Sequence, residues 1–284
     1  MSALMSEVTR FAPSPTGRLH LGHAYAALFA AEQAGPEGRF LIRMEDIDRS
    51  RCRPEYETAI FEDLAWLGLT WSEPVDRQSA QLDAYRQALD RLNEAGLLYP
   101  CFCTRRDITD EIARSERAPH GPEGPLYPGT CRQLTVQERQ ARMKDGATYA
   151  WRLDMAEALK RTPDLSWTDR QAGRQDARPE LLGDVVLARK DISTSYHLSV
   201  VVDDARQGIT LVTRGEDLFM ASHLHRLLQA LLDLPVPEWL HHRLVTDSQG
   251  QRLAKRHDSL SLDSLRQAGE SPQEIRHRLG FGAS

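Results

Sequence analysis

Lysine is nearly missing from this chain: of 36 basic residues only Lys144, Lys160, Lys190 and Lys255 are lysine, and the other 32 are arginine. Such a bias is what genomic base composition produces, and it defines no function by itself. Aromatic residues make up only 7% of the 284 positions. No apolar stretch reaches the ~18 residues of a membrane-spanning helix. The N-terminus, MSALMSEVTRFAPS, lacks the basic start, apolar segment and cleavage site of a secretory leader. The expectation is therefore a cytoplasmic protein with no membrane partner. Cysteine is scarce, at positions 52, 101, 103 and 131, which argues against a disulfide framework in a chain of this size. Cys52 reads as a lone thiol. Charge of one sign is not in excess: 36 basic and 41 acidic residues leave a formal net charge of −5. That excludes a wholly basic nucleic-acid module and leaves room for a local basic face. Fixed-period repeats and low-complexity tracts are also missing, which excludes solenoids and fibres.

What is present is a globular composition, with 40% hydrophobic residues and 18 glycines. The length predicts about two domains, or one large one. Val8–Ala12 reads as a strand leading into the breaker cluster Pro13-Ser14-Pro15-Thr16-Gly17, and a helix is expected from about His20 to Gln33. Arg39–Met44 (RFLIRM) reads as a buried strand, so the first 45 residues predict a βαβ unit and a parallel sheet. Helical periodicity follows at Pro54–Leu67 and Ser79–Ala95, the second closed by Gly96. From Pro100 to about Gln133 the character changes, with three cysteines and Pro119, Pro122, Pro125 and Pro128, as in a small inserted module. Thr135-Val-Gln-Glu138 and Ser271-Pro-Gln-Glu274 are capping boxes that each open a helix. Asp184–Ala188, Ser195–Val202 and Gly208–Thr213 read as strands, Asp217–Leu232 as an amphipathic helix and Asp247–Gly250 as a turn. The predicted whole is an interrupted α/β nucleotide-binding domain.

The most specific motif is Pro13-Ser-Pro-Thr-Gly-Arg-Leu-His20-Leu-Gly22-His23, placed between a strand and a helix. A loop there delivers backbone N–H groups at a helix N-terminus, where the dipole favours phosphate. Gly22 lets a flat base lie against the backbone. His20 and His23, three apart, share a helix face and can donate to phosphate oxygens. Cys101-Phe-Cys103 and Cys131 suit a structural tetrahedral Zn²⁺ site with one ligand still to be supplied, for which His120 is the generic choice. Trp66, Trp71 and Trp239 are expected to pack in the core or at interfaces. His223 and His225 read as unassigned surface histidines.

RFAPSPTGRLHLGHA resembles the signature of class I glutamyl-tRNA synthetases, with HLGH as the HIGH element. IRMEDIDRSR, TSYHLSVVVDD, VTRGEDL and RLAKR follow in family order, the last resembling the KMSKS loop, so the likeness covers essentially residues 8–260. It implies an α/β, Rossmann-type catalytic domain with an inserted zinc-binding and acceptor-type subdomain. The segments expected are 8–100 for the first half of the catalytic domain, 101–133 for the zinc-binding insertion and 134–183 for its remainder. Residues 184–245 would be the second half, and 246–284 the KMSKS-like loop with a short helical C-terminus. Only 28 residues follow Arg256, so no anticodon-binding domain is expected.

The resemblance implies activation of L-glutamate by ATP, accompanied by Mg²⁺, to glutamyl-adenylate. His20, His23 and Lys255 would be catalytic, and with Gly22 would bind ATP. The family's amino-acid pocket falls on Arg10, Phe11, Ala12, Pro13, Ser14, Glu45, Tyr196 and Arg214. Arg10 and Arg214 suit carboxylates, Glu45 the α-ammonium, and Ser14 and Tyr196 hydrogen bonds. Arg252 and Ala254 depart from the usual Lys and Ser of the KMSKS loop, with charge retained at both ends. In the truncated branch of the family the pattern C-x-C…Y-x-x-x-C points to Tyr127 as the fourth zinc ligand, ahead of His120. That branch attaches glutamate to queuosine at the wobble position of tRNA(Asp), and monomers are expected. Alternatives are a minimal synthetase charging the 3′ end of tRNA(Glu), a non-catalytic tRNA-binding paralogue and a small-molecule adenylyltransferase.

Overall fold

A computed structural model describes residues 6–114, 120–121, 124–245 and 261–282. The chain opens with β1 (Val8–Phe11), α1 (Leu21–Ala34), β2 (Arg39–Met44), α2 (Pro54–Trp66), β3 (Ser72–Arg77) and α3 (Leu82–Glu94). β1, β2 and β3 form a parallel sheet in that order. β2 is buried along nearly its whole length, as in a strand covered on both faces, and Arg43 is a buried charge within it. Ala24, Ala27 and Ala30 on the buried face of α1 have little or no exposure, and these small side chains let the helix axis approach the sheet closely.

The middle of the chain supplies β4 (Leu98–Cys101), α4 (Arg105–Arg114), the two-residue strands β5 (His120–Gly121) and β6 (Gly124–Pro125), α5 (Val136–Lys144), β7 (Ala150–Leu153) and α6 (Met155–Arg161). β8 (Ser166–Asp169), β9 (Gly173–Asp176) and β10 (Val186–Ala188) follow. An antiparallel sheet β10-β7-β4 forms the insertion, with its own apolar cluster shared with α3, α6 and the later helices. Residues 98–100, expected in the first catalytic half, and Val186–Ala188, expected in the second, thus pair in the inserted sheet. Ser166–Asp169, counted with the insertion, returns to the main sheet beside a strand from the last third of the chain.

That last third contains α7 (Tyr196–Gln207), β11 (Leu211–Gly215), α8 (Ala221–Leu231), β12 (Glu238–His242), α9 (Leu262–Gln267) and α10 (Pro272–Leu279). β11 and β12 run parallel, β12 continues to β8, and β9 closes that edge antiparallel. β11 lies alongside β1, where Thr210 N donates to Val8 O (3.0 Å) and Val8 N to Thr210 Oγ1 (2.9 Å). The two parallel sets therefore meet at β1 and β11, where the strand order reverses. In an open α/β sheet this is where a ligand crevice forms, at the carboxyl ends of the strands.

The expected strand at Ser195–Val202 is instead the first half of α7. Its Val200-Val201-Val202 run favours strand locally, but Leu198, Ser199, Val200, Val201, Asp203 and Asp204 are all buried, so the helix is covered round much of its circumference and the 3.6 period is hidden. Gly208, left-handed at φ 66°, ends it. β11 starts at Leu211 rather than Gly208, and the expected helix from Asp217 begins with a 3₁₀ turn at Glu216–Leu218. Both expected capping boxes are present, at Thr135/Glu138 and Ser271/Glu274. Trp239 is buried in the core with Leu41, Trp167 and Val212, and Trp66 and Trp71 are half-buried against the separate apolar cluster around α1 and β2. The expected turn at residues 247–250 lies outside the described residues. Among the described residues no helix is long and apolar enough to cross a membrane.

Candidate active site

A cavity of about 590 Å³ opens at the carboxyl ends of β1, β2, β11 and β12. Phe11, Ala12, Glu45, Thr213 and Arg243 contribute to its walls, and Gly22 and His23 bring the N-terminus of α1 to it. A larger cavity of about 1090 Å³ lies beside Trp66, Trp71 and α10. It sits at the amino ends of β2 and β3, the end at which such sheets do not present their sites.

At the phosphate-binding end, the two histidines cap the helix that carries them. Gly22 N donates to His20 Nδ1 (3.1 Å) and His20 N to His23 Nδ1 (3.3 Å), a capping box built from imidazoles. Accepting at Nδ1 leaves the proton of each neutral ring on Nε2. The HLGH spacing thus stabilises the helix start and presents two ring donors beside the first-turn amides. The chain beyond residue 260 is tied to the same turn: Leu262 N donates to Leu19 O (2.9 Å), and Ser261 pairs with His20.

The opposite wall is ionic. Asp204, on α7, accepts from Arg10 Nε (3.0 Å) and Nη2 (3.3 Å) and from Arg43 Nη1 (2.7 Å). Burial would raise this carboxyl, and the two guanidinium groups hold it below its ordinary value instead. Asp203, next along the chain, accepts from Tyr85 (2.8 Å) and Gln78 (2.8 Å). Glu45 lies 3.6 Å from Arg43 and faces the cavity, and its backbone N donates to Pro13 O (2.9 Å). Burial pushes its carboxyl up to about 7, against the pull of Arg43 and Arg10. The fork of Arg10, expected for a ligand carboxylate, is therefore engaged by Asp204, and its Nη1 also donates to Thr213 O (3.0 Å). What Arg10 offers the cavity is an edge.

Arg214 differs. It is 7% exposed and, among the described residues, touches neutral acceptors alone: His241 Nε2 (3.2 Å), His225 Nδ1 (3.1 Å), Ser222 Oγ (2.7 Å) and the Tyr196 hydroxyl (3.4 Å). Burial draws its pKa down and raises that of Tyr196. Among the described residues, Thr213 Oγ1 and His242 Nε2, from residues that line the cavity, are buried with no hydrogen-bond partner. An added Cβ at Gly215 would crowd the side-chain ends of Asp217 and Leu244, both of which line the cavity.

In the insertion, the sulfurs of Cys101, Cys103 and Cys131 lie within 4.8 Å of one another, with Cys103 and Cys131 3.5 Å apart. Sulfurs around a tetrahedral Zn²⁺ with ~2.3 Å bonds stand about 3.8 Å apart, so the donor set and spacing fit the ion. The Tyr127 hydroxyl is 3.4 Å from Cys101 Sγ and 3.6 Å from Cys103 Sγ, and accepts from Cys131 N (2.9 Å). Phe102 N donates to Cys131 Sγ (3.3 Å). Arg152 stacks over the Tyr127 ring at 3.9 Å.

Of the residues expected at the site, Arg10, Phe11, Ala12, His20, Gly22, His23, Glu45, Tyr196 and Arg214 all line the cavity. Pro13 is buried behind it and Ser14 is exposed; neither is part of its lining. Lys255 and the whole Arg252–Arg256 motif lie outside the described residues, as does the side chain of His120. His223 and His225, expected on the surface, are buried: His223 accepts from Trp167 Nε1 (3.1 Å) and His225 contacts Arg214. Their i, i+2 spacing hid this, because nearly every position of α8 is covered. The sequence reading also missed His241, His242 and Asp169, which carry no motif and come together only where β12 pairs with β8.

The chain belongs to the class I tRNA synthetase family, matching the description "tRNA synthetases class I (E and Q), catalytic domain" over residues 7–281. It is 50% identical over 283 residues to the glutamyl-Q tRNA(Asp) synthetase of Rhodobacter capsulatus, a match covering 96% of this chain and 100% of that protein. The protein of the same name from Symbiobacterium thermophilum is 44% identical, with 96% and 85% covered. Among solved structures, a glutamate tRNA ligase from Elizabethkingia meningosepticum in complex with its amino acid superposes with a TM-score of 0.74 at 29% identity. That match covers 89% of this chain and 52% of the ligase, so the chain spans about half that ligase's length.

Glu45 generates a pH prediction. A ligand ammonium pairs with the ionised carboxylate, so affinity is full above the Glu45 pKa of about 7 and falls as pH drops through it. Calorimetric titration with L-glutamate should show affinity weakening roughly tenfold per pH unit below 7 and levelling above it. Glu45→Gln should bind weakly at every pH, with this dependence gone.

Proposed function

We propose that this protein activates L-glutamate with ATP and transfers it to the queuosine base at the wobble position of tRNA(Asp). The observation that carries the reading is the charge layout of one cavity: a carboxylate, Glu45, and a guanidinium with no carboxylate partner among the described residues, Arg214, face the same space beside the capped N-terminus of α1. A zwitterion with a second carboxylate fits this layout, its ammonium at Glu45 and its side-chain carboxylate at Arg214 and Tyr196.

In this reading an α-carboxylate oxygen of glutamate attacks the ATP α-phosphorus and pyrophosphate departs. His20 and His23 donate from Nε2 to phosphate oxygens as charge develops, Gly22 lies against the adenine, and Lys255 holds the triphosphate. Mg²⁺ accompanying ATP neutralises phosphate charge. A hydroxyl of the queuosine cyclopentene-diol then attacks the adenylate carbonyl and AMP leaves. The enzyme contributes positioning and electrostatics and needs no covalent intermediate. The full-length likeness to the R. capsulatus protein supports tRNA(Asp) as the acceptor. A 39% identity over 275 residues to the glutamate–tRNA ligase of Aquifex aeolicus favours the second reading, charging of tRNA(Glu).

Labelled glutamate and ATP, offered with queuosine-containing tRNA(Asp), the same tRNA unmodified, and tRNA(Glu), separate these readings. Label on the first RNA alone is expected; label on tRNA(Glu) would establish the second reading, and label on none would overturn both.

We further propose that Cys101, Cys103, Cys131 and Tyr127 hold one structural Zn²⁺. Purified protein should contain about one zinc per chain, lost in Cys101→Ser, with Tyr127→Phe losing its metal faster to a chelator. Metal loss in His120→Ala but not in Tyr127→Phe would assign the fourth ligand to His120, and metal-free protein of equal stability would remove the site.

A further inference from the structure

The hydrogen bonds behind Arg214 have a direction imposed from well outside the cavity. Asp169, at the end of β8, accepts from the backbone N of Gln171 (2.9 Å), Ala172 (2.7 Å) and His241 (3.0 Å), and its Oδ2 lies 2.7 Å from His241 Nδ1. These bonds, together with the imidazole, outweigh burial and hold the carboxyl below its ordinary value. An ionised carboxylate only accepts, so Nδ1 of His241 carries the ring proton and Nε2 presents a lone pair. That lone pair faces Arg214 Nε (3.2 Å) and the Ser222 hydroxyl (3.3 Å), which itself accepts from Arg214 Nη2 (2.7 Å). Neither Asp169 nor His241 lines the cavity.

We propose that Asp169 and His241 are positioning residues for the amino-acid substrate. Asp169 fixes the tautomer of His241, and His241 orients Arg214 without neutralising it, leaving the full guanidinium charge for the substrate's side-chain carboxylate. An acid in place of His241 would pair with Arg214 and cancel that charge; the opposite tautomer would set N–H against N–H and push the fork aside. The inference rests on the glutamate reading of the cavity and adds how selectivity for a carboxylate over an amide is built.

Asp169→Asn tests it. The amide nitrogen is unfavourable against the N–H groups of Gln171 and Ala172, so it takes the Oδ2 position, where it faces His241 Nδ1 and reverses the ring, with loss of the bond from the His241 backbone N. Glutamate affinity by calorimetry should drop roughly tenfold or more, the scale of a lost hydrogen bond to a charged group, with ATP affinity within about twofold. His241→Gln keeps an acceptor towards Arg214 and should stay within about threefold of wild type. Adding Asp169→Asn to His241→Gln should weaken glutamate binding far less than it does in the wild type, because an amide has no tautomer to fix and only the bond from the residue-241 backbone N is then lost. Should Asp169→Asn fail to fold, His241→Leu, which leaves the turn at 170–172 untouched, carries the same expectation of selective glutamate loss. Unchanged glutamate affinity in Asp169→Asn, equal loss for glutamate and ATP, or a full effect persisting in the His241→Gln background would overturn the proposal. Arg214→Ala is the reference: if it too binds glutamate normally, the glutamate reading of the cavity fails, whereas a normal Asp169→Asn beside a weakened Arg214→Ala sinks only the relay.

Discussion

The arrangement of the site depends on one buried carboxylate. Asp204 on α7 grips Arg10 of β1 and Arg43 of β2, clamping the helix of one half of the chain onto the first two strands of the other. A buried ion pair costs several kcal/mol of desolvation per ion, and here charge-assisted bonds to two guanidinium groups offset it. The geometry of that clamp decides what each neighbouring charge can do. Arg10 is turned inward, Arg43 holds Glu45 at the cavity wall, and the second arginine of the pocket, Arg214, stands apart among uncharged partners. One negative and one uncancelled positive group then face each other across a space of small-molecule size, and that opposition is the chemical content of the pocket.

At the phosphate-binding end the same economy operates through backbone geometry. His20 and His23 satisfy amides at the start of α1 with their Nδ1 atoms, and that fixes the tautomer with the ring proton on Nε2. A substitution there would alter helix capping and ligand contacts together. The anchoring of Ser261 and Leu262 against Leu19 and His20 couples the chain after residue 260 to this turn, so movement at one can be felt at the other.

Much of this was legible in the sequence where local chemistry and fold agree. RFLIRM could only be a buried strand, the breaker loop before HLGH marked a strand-to-helix junction, and the capping boxes placed helix starts to the residue. Legibility failed where burial on several sides erased periodicity: α7 reads as a strand through its valines, and the histidines of α8 read as surface residues. It failed again for Asp169 and His241, whose meaning arises only when β8 and β12 lie side by side, a pairing far apart in sequence. The role of Arg10 was half legible, since its presence in the pocket followed from the motif but its engagement by Asp204 required knowing where α7 packs.

The most direct test of the charge layout is an experimental structure with a non-hydrolysable glutamyl-adenylate analogue bound. The side-chain carboxylate should lie on Arg214 and the Tyr196 hydroxyl, the ammonium on Glu45, and the adenine against Gly22. A carboxylate seated on Arg10 with Arg214 unengaged, or an ammonium remote from Glu45, would contradict the account.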